Sequence, residues 1–157
     1  MNNDYHAALD VCTRHSERLI WAMKYLHHYF PLSVERLQAL DNTELAVLDQ
    51  FSTRFSKLQD AMGAKLFPAV LEITKEQGEL MAFLDKLYRL EKMGAIPSAE
   101  NWLLLREIRN EFSHDYPDDP TLQSMRLNKA YTLASDLLSI LNQLELFAKR
   151  YSILDRK

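Results

Sequence analysis

Apolar residues recur along this chain every three or four positions, in runs long enough for helices rather than strands. From Tyr5 to Phe30 the stripe is Ala8, Cys12, His15, Leu19, Ala22, Leu26 and Tyr29, one face of a single helix that Pro31 ends. "DNTE" at 41 to 44 is a capping box with Asp41 as cap, and the stripe behind it is Leu48, Phe51, Phe55, Leu58 and Met62. Pro68 is expected to end or kink that helix near Lys65 to Phe67. "TKEQ" at 74 to 77 predicts another helix start, leading into Leu80, Leu84, Leu87 and Tyr88 and stopped by Gly94. Ser98 predicts the cap of a shorter helix carrying Trp102, Leu105, Ile108 and Phe112. Asp119 followed by Pro120 starts the last one, striped by Leu127, Ala130, Ala134, Leu137, Leu141, Leu144 and Ala148. The expected fold is all-α, an antiparallel bundle of four long helices plus short ones.

Composition agrees with that pattern. Only three glycines and five prolines leave little material for the turns of a strand-rich fold. The 157 residues suffice for one domain with a real core, and neither repeat nor linker divides them, so residues 1–157 read as a single domain. The single Cys12 excludes an intramolecular disulfide and fits a reducing compartment. "MNNDYHAALD" lacks the basic start and apolar run of a signal peptide, and no apolar stretch approaches the roughly 20 residues of a membrane helix. The expectation is a cytoplasmic protein. A net charge of −3 gives no overall attraction for nucleic acid, so any RNA contact needs a local basic patch.

Few residues suggest chemistry. His15 lies in an apolar stripe, where a core histidine with a satisfied hydrogen bond is the ordinary reading. His27 and His28 point about 100° apart on a helix and cannot chelate one ion together. Di-iron bundles carry a Glu-x-x-His on each of two helices, and this chain has one such spacing, Glu111 to His114, with no second copy, so neither metal nor cofactor is expected. "FSTRFSKLQDAMGAKLF" (51–67) interleaves aromatics with Arg54, Lys57 and Lys65, but Phe51 and Phe55 fall on the core stripe. Lys86, Arg89 and Lys92 form a basic rim that reads as a solvated face.

The stretch "LREIRNEFSHDYP" (105–117) differs. Pro117 pushes Tyr116 out of helical geometry, so the helix should end between Phe112 and Asp115. Arg109 and His114 are about 140° apart on an unbroken helix, yet a turn at its end lets them swing toward each other. A helix C-terminus favours a protonated imidazole, and a paired arginine and histidine suit phosphodiester chemistry. On spacing alone, capping of exposed carbonyls is the simpler reading. Glu107, Glu111, Asp115, Asp118 and Asp119 surround the pair and oppose RNA, with Arg106 a partial offset.

"RNEFSHDY" resembles the R-x-x-x-x-H-x-Y signature of bacterial HEPN-domain toxins, encoded beside a minimal nucleotidyltransferase antitoxin. The resemblance rests on Arg109, Asn110, His114 and Tyr116; residues 1–95 match only as helices. It implies a HEPN-like bundle that acts as a metal-independent endoribonuclease toxin. The active form would be a symmetric homodimer whose two motifs share one cleft. Arg109 would stabilise charge on phosphorus, His114 would act as general acid or base, and Asn110 would position the phosphate. The partner nucleotidyltransferase would silence the toxin by transferring AMP to Tyr116. The family's other form is a non-catalytic subunit that binds a nucleotide or pairs with the nucleotidyltransferase.

Overall fold

The computed structural model describes residues 3–74, 82–114 and 119–155, and those residues contain helices and no strand. The long elements are α1 (Asn3–Leu26), α3 (Asn42–Ala61), α6 (Ala99–Phe112) and α7 (Pro120–Asp155). Shorter pieces join them: a 3₁₀ turn (His27–Tyr29), α2 (Val34–Ala39), α4 (Phe67–Ile73) and α5 (Phe83–Lys92).

Cross-chain contacts fix the direction of each neighbour. Ala8 shares a groove with Lys65 and Pro68, while His15 meets Arg54, so α1 and α3 run antiparallel. Phe55 meets Phe112, Asp60 meets Arg109 and Phe67 meets Trp102, which sets α6 antiparallel to α3 and its extension. Glu111 reaches Arg126 and Gln143 donates to the Gly94 carbonyl, so α7 returns along α6. Tyr131 donates to the Met23 carbonyl and the Glu145 charge acts on Tyr5, which closes α7 back onto α1. The four long helices therefore form an up-down-up-down ring around one core.

Local sequence accounts for most of the boundaries. Asp41 and Glu44 form the expected reciprocal capping box, each bond 2.8 Å. The Ser98 hydroxyl accepts from the Asn101 amide, and Asp119 accepts from Leu122 at the start of α7. Gly94 ends α5 at φ +81°, a left-handed conformation that costs a glycine little. Ser33 caps α2, a helix that periodicity alone did not suggest.

Several expectations meet a different outcome. Helix one turns 3₁₀ at His27 rather than staying α-helical to Phe30, and Ser16, not His15, occupies the buried stripe. Ser16 can be buried because its hydroxyl bonds to the Thr13 carbonyl at 2.7 Å. Pro68, expected to end or kink the second long helix, interrupts it without ending it: a π turn (Met62–Leu66) precedes it and the chain continues as α4. Proline lacks an N–H and crowds the carbonyl four residues back, and the wider π turn makes room for the ring. Thr74 closes α4, its hydroxyl bonded to the Leu71 carbonyl, instead of opening a helix; Lys75 to Gln77 lie outside the described residues. On α5, Leu87 and Leu90 are buried while Leu84 and Tyr88 are about half exposed. Packing against α4 and α6 selects the first face over the second.

A line of aromatic rings leads from the α1 end of the core to the end of α6. Phe30 stacks on Tyr131 at 4.0 Å, both contact Phe51, and Phe55 meets Phe112 edge-on at 5.7 Å.

Candidate site at the end of helix α6

α6 stops where the sequence predicts, with Ser113 as its C-cap. The Ser113 amide and hydroxyl both donate to the Asn110 carbonyl, at 3.1 and 2.6 Å. The His114 amide donates to the Glu111 carbonyl at 3.2 Å, tightening the exit. The Asn110 side chain is exposed.

Arg109 points to α3. Its Nε and Nη2 donate to the two carboxylate oxygens of Asp60 at 2.7 and 2.9 Å, a side-on fork. The hydrogen bonds to Asp60 push the guanidinium pKa above its usual value, against an opposing effect of burial. That pairing leaves Nη1 to face other groups. The Arg109 side chain is 28% exposed and Asp60 50%, so solvent reaches both.

His114 is exposed and turns the other way, into an open groove with Leu37, Leu48, Ser52, Phe112, Arg126 and Leu127. Within one chain, Arg109 and His114 thus face different neighbours. α6 keeps helical geometry through Phe112, and the chain turns off it only at Ser113 and His114. Tyr116 lies outside the described residues, as do Asp115 and Asp118.

Two of the acids anticipated around the motif have separate tasks. Asp119 is spent on capping α7, and Glu111 lies 3.9 Å from Arg126. The acid that does act on Arg109, Asp60, stands 49 residues away in sequence. It escaped the sequence reading because nothing in "SKLQDAMG" distinguishes it from a solvated helix residue. Its only signal is that it follows the buried Leu58 and Gln59 at the edge of the core stripe.

Behind the ion pair lies a pocket of about 240 Å³ lined by Gln59, Asp60, Gly63, Phe83, Trp102 and Arg106. Arg106 sits over the Phe83 ring at 5.0 Å. Gly63 permits the close approach there, since a β-carbon on it would lie 3.2 Å from the Trp102 ring.

The other candidates resolve as follows. His15 is half-buried at the seam of α1 and α3, its Nδ1 2.9 Å from Arg54 Nη1. His27 approaches the Tyr131 hydroxyl at 3.4 Å and meets His28 edge-on. Phe51 and Phe55 are fully buried, as core residues should be. Among the described residues no three histidine, cysteine or acidic side chains are grouped to hold a metal ion, and no helix is long and apolar enough to cross a membrane. No family model, curated protein or solved structure matches this chain.

Proposed function

We propose that the protein is a metal-independent endoribonuclease of the HEPN toxin type, built as a two-fold dimer around the ends of its α6 helices. One observation carries the reading: a guanidinium held side-on by Asp60, with Nη1 left over, in the last turn of the helix whose exit carries the exposed His114. A fork held through one edge is preorganised to offer the other to a phosphate. Arg109 and His114 face different neighbours within one chain, so a second copy is what would bring an arginine and a histidine to the same phosphate.

In this mechanism the ribose 2′-oxygen attacks the adjacent phosphorus and gives up its proton to one His114 imidazole. The bond from phosphorus to the 5′-oxygen breaks, and that oxygen takes a proton from the symmetry-related His114 imidazolium. The products are a 2′,3′-cyclic phosphate and a 5′-hydroxyl. Arg109 stabilises charge on the pentacoordinate phosphorus, and Asn110 helps position the phosphate. A companion nucleotidyltransferase silences the enzyme: the Tyr116 phenolic oxygen attacks the α-phosphorus of ATP and pyrophosphate leaves. The resulting phosphodiester places negative charge and bulk beside the motif.

A second reading is supported by the same ion pair. Asp60 balances the Arg109 charge, as suits a non-catalytic HEPN subunit that only partners a nucleotidyltransferase. Purified protein with single-stranded RNA in excess EDTA decides between them. The ribonuclease reading expects cleavage that Arg109→Ala and His114→Ala each abolish. Neither variant should lose more than about 1 kcal/mol of stability, because the Arg109 ion pair is partly exposed and the His114 side chain is exposed. It also expects growth arrest on expression alone, and a Tyr116→Phe variant that stays toxic beside the nucleotidyltransferase. An intact RNA substrate and a harmless protein that co-purifies with a nucleotidyltransferase would establish the second reading instead.

A further inference from the structure

The outer face of α1 carries two large aromatic rings that the core does not use. Trp21 is 50% exposed and Tyr25 42%, and their rings lean on each other at 5.7 Å. Arg14, Arg18, Trp21 and Tyr25 follow one another at steps of four, three and four, which keeps them within an arc of about 60° along about 16 Å of helix. Across the seam, α3 offers Arg54 and Lys57, one turn apart.

The charges that act on His15 at this seam are of one sign, with acids toward its ends, at Asp4 and at Glu44. The His15 imidazole is pushed below its ordinary proton affinity by burial, then by Arg54, Lys57 and Arg14, so cations converge on it from both helices. Arg54 is half-buried, and its Nε is fully covered with no hydrogen-bond partner. A partly desolvated guanidinium whose side-chain partner is a neutral imidazole favours an added anion. Asp10 and Glu17 are exposed on the opposite margin of the aromatic pair, so the face is positive only toward α3.

We infer that this face is a track for single-stranded nucleic acid. Bases stack on Trp21 and Tyr25, while Arg14, Arg18, Arg54 and Lys57 hold the phosphates. Rings interleaved with cations are what a single strand requires, and stacking on them tolerates any base. Trp, Tyr and Arg also favour protein interfaces; the cations that converge on His15 from both helices favour a polyanion. The inference deepens the ribonuclease reading by giving the RNA a path, yet binding here can succeed or fail without cleavage.

The test is a fluorescent 2′-O-methyl oligouridine of about 12 nucleotides, which has no 2′-hydroxyl to attack and so reports binding alone. Of the two tryptophans, Trp102 is wholly buried and Trp21 half exposed, so quenching on titration reports Trp21. Trp21→Ala should weaken binding roughly 5- to 100-fold. The double substitution Arg14→Gln, Arg18→Gln should lower the slope of log affinity against log salt by about 1.4. Unquenched tryptophan emission, or both variants binding like the wild type, would overturn the track. A Trp21→Ala protein that changes oligomeric state in light scattering but still binds the oligonucleotide would overturn it too, and would make the face an interface between copies.

Discussion

His15 reports the balance between burial and charge at the seam of α1 and α3. Its folded-state affinity for a proton lies below the ordinary imidazole value of 6.5. Between the two values the unfolded chain binds more protons than the folded one, so stability there rises with pH. His15 therefore contributes its full share above about pH 6.5, and the share is lost as pH falls below it. Urea midpoints at pH 7.5 and 5.5 should drop further for the wild type than for His15→Gln; equal drops would show that the neighbouring cations do not reach the ring. The sequence placed His15 on the helix stripe correctly to within one position. It could not show that Ser16 satisfies its own hydroxyl and takes the buried place. Asp60 was illegible for a similar reason: its partner is fixed by tertiary packing of α3 on α6, and no local pattern encodes a partner 49 residues away.

Elements were most legible where a side chain binds its own backbone nearby. Asp41 with Glu44, Ser98, and Asp119 before Pro120 each announce a helix start within four residues, and each is used. Thr74 has the same residue type and the opposite role, because the apolar run of α4 reaches it from behind. Pro68 is a stop signal only when the preceding turn stays α-helical; the π turn removes that condition. The connection from α1 to α2 shows what no periodicity can announce. Asn128 on α7 accepts from the Leu32 amide at 2.6 Å and donates to the Leu32 carbonyl at 2.8 Å, so one side chain satisfies both polar groups of a buried residue. Asn128→Ala should cost roughly 1–3 kcal/mol with an unchanged denaturant slope, since a covered amide and carbonyl lose their partner. A loss below half a kcal/mol would mean that water replaces the amide.

At the scale of the molecule, the alternation of three and four predicted the all-α ring because each long helix needs one apolar side and finds it on its two neighbours. The stripes on α3 and α7 carried this best: Phe51, Phe55, Leu58, Ala130, Ala134 and Leu137 are all fully buried. The pairing order follows from short connections, which bring sequential helices side by side in opposite directions. Which surface meets another molecule is a different kind of information, since Trp21 and Arg109 are distinguished by what surrounds them rather than by their place in a repeat.

The ring also encloses Cys12, the chain's one thiol, with no exposed surface and an ionisation pushed up to about 12. In the closed bundle almost no thiolate exists, and no reagent can reach it. Labelling of Cys12 is thus a clock for the bundle's opening. With a disulfide reagent in excess, its rate at each urea concentration should give the same free energy as the unfolding transition measured by circular dichroism. Labelling that runs much faster, and ignores urea, would reveal that α1 detaches from the ring while the remaining helices stay folded.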